Sequence, residues 1–137
     1  MVNGMMKIFL NFILLALLAS CSVVSNKVKM EAASNPVVAH PGAFKKANLP
    51  ENSIAALREA IRLGCAGSEF DIRMSADDTL LINHDAHYRG MDIEKTGYKE
   101  LSAVPLPNGE VLPTLRQYLQ AGLQNNRQTT LVLEIKP

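Results

Sequence analysis

Residues 68–85, Ser-Glu-Phe-Asp-Ile-Arg-Met-Ser-Ala-Asp-Asp-Thr-Leu-Leu-Ile-Asn-His-Asp, restrict the fold more than any other stretch. From Glu69 to Met74, charged residues alternate with apolar ones, which is the period of a strand. Glu69 and Asp71 therefore leave one face, roughly 7 Å apart at a rise of ~3.3 Å per residue, within reach of a single cation. Leu80 to Asn83 is a second apolar run, ending in His84 and Asp85. The linker 75–79 is too short for a parallel crossover, which takes about 12 residues, so the two runs are expected to pair as an antiparallel hairpin. That hairpin would bring His84 back toward the two carboxylates. Carboxylates for a metal and an imidazole for a proton are a hydrolase-like combination.

At 137 residues, with 47 % hydrophobic and 20 % charged residues and a net charge of +1, the chain has room for one globular domain. Nothing in this balance points to nucleic acid or to disorder. Lys7, the apolar run 8–19 and Leu18-Ala19-Ser20-Cys21 have the layout of a secretory signal, too short to span a bilayer. The ending resembles a bacterial lipobox, with Cys21 as the lipidated first residue. Residues 1–20 are thus expected to be a signal peptide, 21–36 a tether, and 37–137 the domain. The expected location is the cell envelope, anchored to membrane by lipid. Removing the signal takes away one of 14 basic residues and leaves the rest balanced against 13 acidic ones, so any hold on phosphate must be local. Cys65, between a helix and a strand, reads as a buried and inert thiol.

Pro36 to Gly42 reads as a short buried strand that stops at His40. Pro50 opens a helix to about Leu63, with Ile54, Leu57 and Ile61 on its stripe, Glu51 in its first turn and Gly64 as its stop. Asn52 in that turn is placed to reach a strand end. Residues 86–112 read as a long polar excursion with at most one helical turn, at 98–101. Thr114 and Gln117 form a capping-box pattern that opens a helix with Leu115, Leu119 and Leu123 on one face. Residues 130–136 form a last strand in which Glu134 and Lys136 share a face. The order is a run of βα units with the chemical residues at C-terminal strand ends, as in a barrel or an open α/β sheet.

His40-Pro-Gly42, Glu51-Asn52, Glu69-Phe-Asp71, His84-Asp85, Leu112-Pro-Thr-Leu115 and Glu134-Ile-Lys136, in this order, resemble the glycerophosphodiester phosphodiesterase family. The resemblance implies the N-terminal part of a TIM (β/α)8 barrel, with about three principal strands present. It implies His40 and His84 as general acid and base, and Glu69, Asp71 and Glu134 as ligands of one divalent cation, Ca²⁺ or Mg²⁺. Oxygen ligands without sulfur suit those ions better than zinc. Lys136 would face the phosphate, with Glu51 and Asn52 around the site. The implied substrate is a small glycerophosphodiester, cleaved to glycerol 3-phosphate and an alcohol. Pro41 stands where the family usually has a phosphate-binding arginine, leaving Lys45, Lys46, Arg73 or Arg89 to compensate. A barrel takes ~250 residues, so the expectation is a part of a longer protein or a truncated product. One rival reading is a non-catalytic lipoprotein that keeps the barrel part as a binding or assembly module. Another is a zinc site on His84, Asp85 and His87, or an HD-type phosphohydrolase.

Overall fold

The computed structural model describes residues 29–137, so the signal peptide, Cys21 and the first half of the tether lie outside the described residues. The sheet is built around β2 (Cys65–Met74), which carries a neighbour on each side. On one side, β1 (Asn35–Ala39) runs parallel along its first half, with Ala39 opposite Ser68. Farther along that side, β3 (Leu80–Ile82) runs antiparallel, with Ile72 opposite Ile82 and Met74 opposite Leu80. On the other side, β6 (Thr130–Ile135) is parallel and in unbroken register from Gly67–Thr130 to Ile72–Ile135. The expected hairpin therefore forms, with Asp78 at φ +59° in its turn and the Ser75 hydroxyl donating to Asp77.

Alternation along β2 separates core from site. Phe70 and Ile72 face the helices and pack with Leu57, Ile82, Tyr118 and Ala121. The Phe70 and Tyr118 rings lie 4.7 Å apart between centroids, tilted by 37°, a favoured aromatic geometry. Glu69 and Asp71 leave the opposite face.

Helix α1 (Ile54–Arg62) starts at the first residue of its apolar stripe, later than the expected opening at Pro50. Ser53 is the N-cap, its hydroxyl accepting from the Ala56 amide, and no acidic residue lies in the first turn. Residues 50–52 instead form a turn, with Asn52 at φ +56°, and Glu51 has no helix dipole to complement. A capping side chain that satisfies free amides outweighs the helical preference of the residues before it. Gly64, at φ +63°, ends the helix as expected. Cys65 is buried, and burial pushes its thiol up, as an inert core residue requires.

Three further expectations change. Val37 and Val38 are 54 % and 51 % exposed, because β1 lies at an edge and pairs only with β2 among the described strands. The excursion is not featureless. It holds a two-stranded ribbon, β4 (His87–Tyr88) with β5 (Met91–Asp92), a 3-10 turn at Ile93–Lys95 and the helical turn α2 (Tyr98–Leu101). Tyr88, Ile93, Leu101 and Leu112 bury against Leu81, forming a second small core. Helix α3 (Leu115–Leu123) has the capping box, but it buries Tyr118, Ala121 and Gly122, leaving Leu119 and Leu123 exposed. At Gly122 the helix lies so near β6 that a Cβ would come within 2.6 Å of a Leu131 δ-carbon, and that side chain would have to move. Close approach of helix to strand, not the leucine spacing, selects the face.

Candidate active site

Residues just after β1, in the middle of β2 and at the end of β6 form one cluster. His40 is the first residue after β1, level with Glu69 in the parallel register, and its Nε2 lies 3.4 Å from Glu69 Oε2. Glu134 of β6 is the direct partner of Asp71 on β2, so the two carboxylates share a face. Lys136 lies two residues farther on, its amide donating to the Ile72 carbonyl at 3.1 Å. Its ammonium donates to Glu134 Oε1 at 2.6 Å and stands 3.1 Å from Asp71 Oδ1. The second contact is an ion pair whose direction falls short of a hydrogen bond.

Asp71 is fully buried and held from behind. Asn52 Nδ2 donates to Asp71 Oδ2 at 2.8 Å, and the Asp71 amide donates to Asn52 Oδ1 at 3.0 Å. The left-handed backbone at Asn52, a conformation that Asn tolerates better than most residues, turns its side chain to this task.

Glu69 is the anomaly. It is 6 % exposed, yet neither carboxylate oxygen has a hydrogen-bond partner. Burial first, and then the charge of Asp71, push its carboxyl up; His40 pulls the other way, and Glu134 adds to the rise. The ligand atoms of His40, Glu69 and Glu134 lie within 4.8 Å of one another. A buried carboxylate without donors, facing a second carboxylate and an imidazole, fits a hard divalent cation. Lys136 is pushed up chiefly by its bond to Glu134.

The fold groups these residues by register. The ligand atoms of His40, Glu69 and Glu134 converge, and Asp71, the direct partner of Glu134, is braced by Asn52 on one oxygen and faces Lys136 with the other. The signal for this was the in-register pairing of β2 with β6, which pattern reading along one strand does not contain. His84 follows β3, where the Asn83 amide donates to the Asp71 carbonyl. Its ring is half-exposed and its Nδ1 lies 2.8 Å from Asp85 Oδ1. Glu51 is exposed beside Asn52. His87 is exposed on β4, and the single metal-capable group among the described residues includes neither it nor His84.

Of the basic residues weighed as substitutes for the missing arginine at Pro41, Arg73 donates to the carbonyls of His84 and Pro137. Arg89 sits in the β4–β5 turn at φ +51°. Lys45 and Lys46 line a cavity of about 370 Å³ that also reaches His40, with the Lys45 ammonium 5.6 Å from the centre of the Phe44 ring.

Comparison with known proteins identifies the family and the fold. The model of the glycerophosphoryl diester phosphodiesterase family matches residues 40–137. A glycerophosphodiester phosphodiesterase of Caldanaerobacter subterraneus is 45 % identical over 49 residues, which are 36 % of this chain and 19 % of that protein. The crystal structure of a glycerophosphodiester phosphodiesterase from Parabacteroides distasonis superposes with a TM-score of 0.71 at 37 % identity, covering 78 % of this chain and 44 % of that one. An Oleispira antarctica phosphodiesterase, solved with its product sn-glycerol-3-phosphate, superposes with a TM-score of 0.63 at 26 % identity, over 74 % of this chain and 45 % of that one. The chain thus spans less than half the length of each, and its mixed α/β fold corresponds to part of their TIM barrels.

Proposed function

We propose that this chain, which belongs to the glycerophosphoryl diester phosphodiesterase family, supplies the cation-holding and proton-moving residues for hydrolysis of a glycerophosphodiester to glycerol 3-phosphate and an alcohol. The observation that carries this reading is the convergence of His40, Glu69 and Glu134 at one sheet edge, with Lys136 beside them. The product seen in the Oleispira antarctica relative supports the substrate class.

With His40 beside them as the first proton carrier, Glu69, Asp71 and Glu134 are the groups that would hold one divalent cation, Mg²⁺ or Ca²⁺. Bound there, it would neutralise charge on the phosphoryl oxygens. Lys136 adds a cationic donor for the same oxygens. His40 is 59 % exposed at its side chain, so it can meet a substrate while its Nε2 points at Glu69. His84 is the second proton carrier. Its Nδ1 contact with Asp85 fixes the ring and leaves Nε2 to give or take a proton. Lys45 and Lys46 take over the phosphate contact that Pro41 cannot make.

Glycerophosphocholine and the purified full chain test this, with Mg²⁺, with Ca²⁺ and with EDTA. The expected result is cation-dependent release of glycerol 3-phosphate, and a fall of ~10²–10⁴-fold in kcat for His84→Ala. Undiminished turnover by His84→Ala would remove that histidine from the mechanism, and turnover indifferent to EDTA would remove the cation. A folded chain without turnover would favour the binding-module reading.

We also propose export and lipid anchoring through Cys21. Among the described residues no helix is long and apolar enough to cross a membrane. Labelling by radioactive palmitate that Cys21→Ala does not abolish would refute the anchor.

A further inference from the structure

One ammonium serves two carboxylates in this cluster, and the third carboxylate has none. Lys136 meets Glu134 at 2.6 Å and Asp71 at 3.1 Å, and its side chain is only 15 % exposed, unlike a loose surface pair. Asn52 fixes Asp71 from the other side, so Asp71 has no freedom to turn away. Glu69 faces only His40 at 3.4 Å, and both its oxygens are without donors. A cation drawn to Glu69 also needs Glu134, whose ligand atom lies within 4.8 Å of those of Glu69 and His40. Glu134 already carries the lysine.

We propose that Lys136 is a resident counter-cation, which occupies Glu134 until a divalent cation displaces it, and that the displaced ammonium then becomes available to an anionic oxygen of the substrate. Cation and substrate accordingly bind in order, cation first. The device rests on the cation site proposed above, and it adds a competitor within the site. Its physical basis is elementary. A fixed positive charge a few ångströms from a divalent ion opposes its entry, and a carboxylate that must give up a short charge-assisted bond binds a newcomer less tightly.

Lys136→Met keeps most of the side-chain length and removes the charge. In isothermal titration of the full chain with MgCl₂ or CaCl₂ at low ionic strength, this variant is expected to bind the cation about tenfold or more tightly than wild type. Glu134→Gln is expected to lose binding. Equal or weaker cation affinity in a folded Lys136→Met variant would overturn the proposal. If wild type still needs a cation for turnover in that case, the competitor alone is refuted and the cation site stands. Absence of binding in both wild type and the variant would refute both. A second measurement needs no substitution at all. Acetylation by an N-hydroxysuccinimide ester, mapped by mass spectrometry, should rise several-fold at Lys136 when the cation is added, with exposed Lys99 as the unchanged reference. A rate at Lys136 that does not respond to a cation shown to bind would refute the displacement.

Discussion

Replacing Glu69 by glutamine removes a charge that the fold has to bury. The carboxylate is 6 % exposed and has no donor on either oxygen. Glutamine leaves a neutral polar group unsatisfied in place of a charged one, which costs less to bury, and His40 at 3.4 Å offsets part of the difference, so Glu69→Gln should stabilise the cation-free protein by about 1 kcal/mol at pH 8. For a domain of about this size, each kcal/mol raises Tm by roughly 4–8 °C. The pH dependence fixes the cause. Burial and Asp71 push the Glu69 carboxyl above its ordinary 4.5, so the folded wild type holds the proton more tightly than the unfolded chain. Wild type therefore gains stability, relative to the variant, as pH falls. The advantage of Glu69→Gln is full above the raised value and gone below 4.5. Thermal unfolding in EDTA at pH 8 and at pH 4.5 measures it. Saturating Mg²⁺ should reverse the order at pH 8, because a ligand at 100 times its Kd adds about 2.7 kcal/mol to wild type alone. A variant that is less stable than wild type at both pH values would refute the reasoning, for it would mean that the charge is well solvated or well paired.

Two other substitutions test the elements that build the site. Asn52→Gly tolerates the backbone at φ +56° but deletes both bonds to Asp71, so it should cost about 2 kcal/mol in urea unfolding; a cost within 0.5 kcal/mol, the level of an ordinary surface change, would show that Asp71 does not depend on it. Gly122→Ala puts a Cβ within 2.6 Å of a Leu131 δ-carbon. The cost of moving that side chain, set against a gain of about 1 kcal/mol in helix propensity, should leave a net loss of at most about 1 kcal/mol, read as a shift in the urea midpoint at constant slope. A midpoint that rises instead would mean that the Leu131 side chain moves without penalty.

How much of this was legible differs from element to element. The β2–β3 hairpin followed from charge alternation and a linker too short for a crossover, both local facts. The capping box at Thr114 and the stop at Gly64 were equally local, since a cap is a bond between near neighbours. The start of α1 was misplaced because Ser53 and Pro50 are both plausible openings, and only the Ser53 bond to Ala56 decides between them. The core face of α3 was misplaced for a different reason. Leucine spacing describes a helix alone, whereas burial of Tyr118, Ala121 and Gly122 depends on how closely β6 approaches.

The site divides along the same line. Sequence determined which chemistry is present: three carboxylates, two histidines and a lysine on strands or just after them, with Glu69 and Asp71 bound to share a face because side chains on a strand alternate with period two. Tertiary structure decided which of them meet. The in-register pairing of β2 with β6 sets Glu134 against Asp71, and the β1 pairing sets His40 against Glu69. Those pairings join residues far apart in the chain, and their registers come from packing across the whole sheet, so no local pattern contains them. That is why the bracing of Asp71 by Asn52 and its contact with Lys136 appear only in the fold.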